Sequence, residues 1–359
     1  MNFEEHFPLL NNRTYLNTAS SGILSASLME WRRAHDQDFF DNGSTFRIPQ
    51  AERIEKIRAS IARFFHSKPE NTFLVPNFSY GFNIFLEGLS SEHRFLLLEE
   101  DYPSVNYAVQ SRGFHSEYIA ADESETYILD KIGELKPTVF AFSIVQYISG
   151  NKINLTLITE IKRLYPEILI VADGTQFCGT TDFNFAQSGI DVLISSGYKW
   201  MLAGYGNGFF LMKDQVKNYL YRDTYGRPLP TEPFLKDKQL LSLYFEPGHQ
   251  DTLAFGSLEQ SILFMEKIGM TAIEHQIRKL SDLAKAAFIQ RGLLDENTAK
   301  RAEHSSIFNI NISEHTYQQL LDADIVCLAR GRGIRIAFHF YNTEADLNRL
   351  LEVIDQHNN

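Results

Sequence analysis

Three residues in one short run have types and a spacing suited to covalent chemistry: Asp173, Gln176 three residues on, and Lys199. Asp173 ends an apolar run, residues 168–172, which is how a buried parallel strand delivers an acid to the carboxyl edge of a sheet, where ligands of open α/β folds bind. A second, mostly apolar segment, residues 190–194, runs into Ser195, Ser196, Gly197, Tyr198 and Lys199. Two strand ends would thus bring an acid and a lysine to one ligand. A lysine so placed can form a Schiff base, and the acid can hold a pyridine nitrogen protonated, which makes the ring an electron sink for a carbanion.

The elements that must position these residues follow from the hydrophobic pattern. Short apolar segments at 72–75, 95–98, 139–145, 168–172, 190–194 and 209–212 read as strands, and helical stretches begin near Ser79, after Pro103 and at Leu155. Such alternation predicts a mainly parallel sheet with helices on its faces. Two helices precede it, over 25–40 and 50–66, the second with Ile54, Ile57, Ile61 and Phe65 on one face; the Asn-Gly and Pro of 41–49 mark a loop between them. Residues 15–21 read as a strand entering a turn of small residues, and 219–233, rich in Tyr, Arg and Pro, as a loop long enough to cover a site or a partner subunit. Beyond it, 257–291 is helical with a break at Gly269, 306–312 and 334–338 read as strands, and 343–354 as a closing helix.

Composition bounds the class. A chain of 359 residues exceeds the size at which single cores stop growing, so a large and a smaller domain are expected, with 16–268 in the large one and 1–15 with 269–359 in the small one. A net charge of -11 argues against a nucleic-acid-binding surface and against attraction to anionic membranes. Two cysteines, Cys178 and Cys327, are too few for a disulfide framework and form no metal-binding pattern. With no signal-peptide pattern and no apolar run of ~18 residues, the expectation is a soluble cytoplasmic protein without membrane span or metal.

The run Asp173, Gln176, Ser196-Gly197-Tyr198-Lys199 and Gly204-Tyr205-Gly206-Asn207-Gly208 resembles the class V aminotransferase family of fold-type I pyridoxal-phosphate enzymes, which includes cysteine desulfurases, selenocysteine lyases and kynureninases. The opening YLNTASSG and the closing RIAFHFYNTEADLNRLLEVI, from Arg335, extend the resemblance over essentially the whole chain. It implies a mostly parallel, seven-stranded-type sheet flanked by helices, a smaller α+β C-terminal domain, a homodimer with active sites at the subunit interface, and pyridoxal 5′-phosphate as cofactor. By the same resemblance Lys199 carries the cofactor, Asp173 faces its ring nitrogen, Gln176 its phenolic oxygen, Tyr102 stacks on the ring, and Arg335 grips the substrate α-carboxylate. Phosphate would be met by Ser79 at a helix start, by Ser196 and by Tyr198, with His249 reaching the phosphate of the neighbouring subunit. Arg330 and Arg332 read as surface residues.

The reaction is less defined. Tyr102 stands where desulfurases carry a histidine, and it cannot supply that residue's proton transfer. Neither cysteine resembles the loop-borne nucleophile of a desulfurase. An aminotransferase acting on a small amino acid is the leading expectation; a selenocysteine lyase or desulfurase-like β-lyase, an epimerase, or a catalytically silent scaffold relative are the alternatives. A dinucleotide-binding reading of Gly204 to Gly208 fails on context, because that run precedes a strand rather than opening a helix.

Overall fold

The computed structural model describes residues 3–120, 123–233, 235–236 and 238–357. Its strands are β1 (Thr14–Tyr15), β2 (Thr72–Leu74), β3 (Arg94–Leu98), β4 (His115–Ile119), β5 (Val139–Ser143), β6 (Leu169–Asp173), β7 (Val192–Ser196), β8 (Gly208–Met212), β9 (Ile307–Ile310), β10 (Ile325–Val326), β11 (Leu328–Arg330) and β12 (Gly333–Ala337). Seven of them form one sheet in the order β2-β8-β7-β6-β5-β3-β4. The run from β7 to β4 is parallel, and β8 lies antiparallel between β2 and β7.

Apolar residues on both sides of the pleat explain why the strands are continuous hydrophobic runs. In β5, Phe140 and Phe142 enter one core while Val139 and Ala141 enter the other; in β6, Ile170 and Ala172 part from Leu169 and Val171 in the same way. Helices Gln50–Phe64 and Thr252–Ile268 cover the first face, and Phe78–Gly88 with Pro103–Gln110 the second. With both faces filled, polar side chains are left to the strand ends.

A second sheet, β11-β12-β9, carries its own core of Phe288, Phe308, Ile336 and Leu350 beneath helices Met270–Gln290 and Glu344–His357. Phe3 and Phe7 of the N-terminal segment belong to the first core of the large sheet, where the Phe7 ring meets Phe264 edge-on at 5.8 Å.

The expected strand over 15–21 shortens to β1, which pairs in parallel with β10; after Tyr15 the chain turns, with the Ser20 and Ser21 N–H groups both donating to the carbonyl of Asn17. The small residues that suggested a turn end the strand early. Strand β4 and helix Glu125–Leu135 were not expected from the pattern. Only Ile119 of β4 is buried, as befits the outer strand of the sheet. In the 219–233 segment, Tyr221 stacks on Tyr244 with ring centroids 3.6 Å apart.

Candidate active site

The parallel strands β5, β6 and β7 end side by side in Ser143, Asp173 and Ser196. Above these ends lies a cavity of about 320 Å³ lined by Ser79, Tyr102, Asp173, Gln176, Ser196, Tyr198 and Lys199 among others. Seven of the nine residues singled out from the sequence therefore share one cavity, of a size typical for small ligands.

Lys199 is buried, and its Nζ lies 5.7 Å from the ring centroid of Tyr102 and 5.5 Å from that of Tyr198. Burial lowers its pKa to about 8, Asp173 opposes that shift, and Arg335 and Arg330 push the same way as burial. Burial raises Asp173 to about 7 against hydrogen bonds from Thr175 and the charge of Lys199. One Asp173 oxygen accepts the Thr175 N–H at 2.8 Å, while the Thr175 hydroxyl accepts the Ser196 N–H at 3.1 Å, so one residue braces the ends of β6 and β7. An amine that gives up its proton easily thus sits beside an acid that a cationic partner would hold ionised.

Gln176 is fixed at both ends of its amide: Oε1 accepts the Trp200 indole N–H at 2.6 Å, and Nε2 donates to the Ala19 carbonyl at 2.9 Å. Because indole is donor-only, the orientation of the amide is settled, and a second N–H remains for a ligand. Asn77 caps helix Phe78–Gly88 by accepting the Tyr80 N–H at 2.9 Å. Ser196 Oγ takes the Phe78 N–H at 2.9 Å and Ser79 bonds Ser104 at 2.8 Å, leaving a helix start with hydroxyls around it, the arrangement suited to a phosphate. Tyr102 meets Tyr147 edge-on at 5.3 Å, and Tyr198 stacks on Tyr205 at 4.8 Å.

Arg335 and His249 do not line this cavity. Arg335 is buried on β12 beside it, donating to the carbonyl of Tyr147 at 2.7 Å and to the hydroxyl of Ser20, with Nε left without a hydrogen-bond partner among the described residues. Among the described residues no carboxylate pairs with it, which counts against a structural salt bridge. His249 is exposed, lies 3.3 Å from Arg47 and lines a second, larger cavity with Phe39, Phe46 and Arg47.

The sequence reading missed Thr175, Tyr147, Ser143, Asp101 and Ser20. Asp101, buried, accepts the Ser143 N–H at 2.7 Å and the Tyr102 N–H at 2.6 Å, and so ties the Tyr102 backbone to the end of β5. Position at or just past a strand end was the available signal for Ser143 and Thr175; nothing in the sequence marked Ser20 as a partner of Arg335.

Fold and cavity together define a fold-type I pyridoxal-phosphate enzyme. The chain belongs to the class-V aminotransferase family, whose model matches residues 40–350. Its relatives include an uncharacterized aminotransferase, YcbU, of Bacillus subtilis, 21% identical over 98% of this chain and 96% of the relative. A probable cysteine desulfurase of Borreliella burgdorferi is 22% identical over 96% and 93%, and isopenicillin N epimerase of Streptomyces clavuligerus 24% identical over 95% and 94%. Among solved structures, a C-DES mutant with glycine covalently linked to its PLP cofactor superposes with a TM-score of 0.86 at 18% identity, covering 98% of this chain and 99% of that one. The apo cysteine desulfurase of Thermococcus onnurineus reaches 0.82 at 18% identity, over 98% and 96%. The family's cofactor is pyridoxal phosphate. The residues present fit it: a lysine, a buried acid, an oriented amide and a hydroxyl-rich helix start surround one cavity. No helix among the described residues is long and apolar enough to cross a membrane.

Proposed function

We propose that this protein is a pyridoxal-phosphate enzyme that acts at the α-carbon of a small amino acid, with transamination as its reaction. The observation that carries the reading is the buried pair of Lys199 and Asp173 at adjoining strand ends of one cavity. Bound there, the cofactor would draw electrons from the bonds at Cα. Lys199 would hold it and then take and return the α-proton, a task suited to an amine whose pKa is near the working range. Asp173 would keep the ring nitrogen protonated, Tyr102 would cover the ring, Gln176 would donate to the phenolic oxygen, and Ser79, Ser196 and Tyr198 would meet the phosphate. Arg335, a buried cation without a counter-ion among the described residues, would take the substrate carboxylate in a two-pronged bond.

The reading extends to a cytoplasmic homodimer, divided into 16–268 and the remainder, in which His249 serves the site of the neighbouring subunit. Sulfur transfer through a protein thiol gains no support, because Cys178 and Cys327 are both buried.

Pyridoxal phosphate added to the purified protein should produce a visible absorbance band, and borohydride should fix an adduct on Lys199; Lys199→Ala should show neither. Absence of both in the wild type would sink the proposal. A screen of amino acids against that band, with keto acid, pyruvate, sulfide and racemised product measured separately, distinguishes transamination from elimination and epimerisation.

A further inference from the structure

Arg335 is not the only guanidinium on its hairpin. Strands β11 and β12 are antiparallel, with Leu328 opposite Arg335 and Arg330 opposite Gly333, joined by the two residues Gly331 and Arg332. Directly opposed residues share a face, as do residues two apart on one strand, so Arg330, Gly333 and Arg335 all project to one side. Arg330 and Arg335 are diagonal neighbours, about 7–8 Å apart at the backbone.

That side faces the cavity by way of Tyr147. Arg335 donates to the carbonyl of Tyr147 at 2.7 Å, and the Arg330 guanidinium lies over the Tyr147 ring, 5.5 Å from its centroid. Tyr147 itself lines the cavity and stands against Tyr102. The hairpin tip is fitted to the same loop, since a methyl group on Gly331 would come within 2.6 Å of the Ile148 side chain. Arg330 is exposed, and among the described residues no carboxylate pairs with it. Lys199 feels the charge of both arginines, which places both fields at the reacting amine. In a chain with net charge -11, two unpaired arginines on one side of a site form a local cationic mouth.

We infer that Arg330 is a specificity-determining residue: held at the rim on Tyr147, it receives a second carboxylate of the substrate, so that the preferred substrates are dicarboxylic amino acids. The inference rests on the amino-acid reading of the site, with the α-carboxylate at Arg335. A buried arginine and an exposed one divide the work. Arg335, tied by Tyr147 and Ser20, holds the invariant end of the substrate, and the free arm of Arg330 can adjust to carboxylates two or three carbons away. Tyr147 serves both, since its carbonyl fixes one guanidinium and its ring seats the other.

Binding of unreactive carboxylates to the cofactor-loaded enzyme, measured by calorimetry, tests this without turnover. Malonate, succinate and glutarate are compared with acetate, propionate and butyrate. The wild type should bind at least one dicarboxylate tenfold or more tightly than the best monocarboxylate. Arg330→Gln should abolish that preference while changing monocarboxylate affinity less than twofold, Arg330→Lys should restore part of it, and Arg335→Gln should weaken both classes. Monocarboxylate binding that depends on Arg335 without a dicarboxylate preference, or equal losses of both classes in Arg330→Gln, overturns the role of Arg330 alone. If no carboxylate binds, or if Arg335→Gln changes nothing, the amino-acid reading fails and this inference falls with it.

Discussion

Gly22 lies against the backbone of the turn that carries Lys199: its N–H donates to the carbonyl of Tyr198 at 2.8 Å, and its α-carbon abuts the carbonyl oxygen of Lys199 so closely that no methyl group fits between them. The small residues after β1 therefore act as a backstop that holds the lysine turn from behind. Gly22→Ala should displace Lys199 and lower stability by about 1–3 kcal/mol, the usual range for overpacking a filled interior. Thermal unfolding and retention of the visible band after gel filtration would measure the two effects. Unchanged cofactor retention would mean that the turn keeps its shape without this support.

The amine of Lys199 should react at lower pH than an ordinary lysine. Burial lowers its pKa from 10.5 to about 8, Asp173 raises it, and Arg335 lowers it further. Removing a neighbouring cation stabilises the protonated amine, so Arg335→Gln should move the midpoint for capture of pyridoxal phosphate upward; Asp173→Asn removes an anion and should move it downward. Rates of cofactor capture between pH 6 and 11 would show the three midpoints, and an order other than Asp173→Asn below wild type below Arg335→Gln would contradict this electrostatic account.

Both thiols should prove dispensable. Burial pushes the Cys327 thiol up to about 12 and raises Cys178 further, which leaves neither with useful thiolate at neutral pH. The double variant Cys178→Ala/Cys327→Ala should keep the visible band and reactivity with amino acids within about twofold, at some cost in stability from the vacated core volume. Loss of sulfide release from cysteine in that variant, with the band intact, would restore a persulfide mechanism.

How much of this was legible in the sequence follows from where the signal lies. Strands buried on both faces, such as β5 and β6, announce themselves as apolar runs, and an acid or lysine at their ends stands out against them. Strand β4 did not, because an outer strand with one buried residue, Ile119, lacks that contrast. Asp173, Gln176 and Lys199 were readable from spacing within one segment. The contacts of Arg335 with Ser20 and Tyr147 were not, since they join positions 315 and 188 residues apart. Arg330 read as a surface residue, and it is exposed; only the pairing of β11 with β12 reveals that it shares a side with Arg335.

The second cavity should close in solution. Phe39, which lines it, is 54% exposed, and Phe40 and Ile48, near it in the chain, are 84% and 81% exposed, apolar surface of the kind that marks an interaction site. A homodimer would cover it and bring His249, which lines the same cavity as Phe39, to the other subunit. Sedimentation should give a dimer for the wild type and a monomer for Phe40→Glu/Ile48→Glu, the monomer holding cofactor less tightly. A wild type that sediments as a monomer with bound cofactor would remove both the dimer and the role of His249.

Arg58 and Glu246 form the ion pair on which the sheet edge depends. Both are buried; the two guanidinium N–H groups reach the two carboxylate oxygens at 2.7 and 2.9 Å, and Arg58 also donates to the Thr72 carbonyl while Glu246 accepts the Leu74 N–H. The pair thus ties helix Gln50–Phe64 to β2, from whose end the chain turns into the helix start at Asn77 that lines the candidate site. Arg58→Met leaves the Glu246 carboxylate buried without a cation and should cost about 3–5 kcal/mol, Glu246→Gln should cost less because Arg58 keeps its second carboxylate partner, Glu55, at 3.2 Å, and replacing both Arg58 and Glu246 by apolar residues of similar size should cost less than Arg58→Met alone. Denaturant unfolding of Glu246→Gln, Arg58→Met and the Arg58→Met/Glu246→Leu double variant measures the coupling. If the double variant loses as much as the two single changes combined, the pair acts through its separate backbone contacts and not as an ion pair.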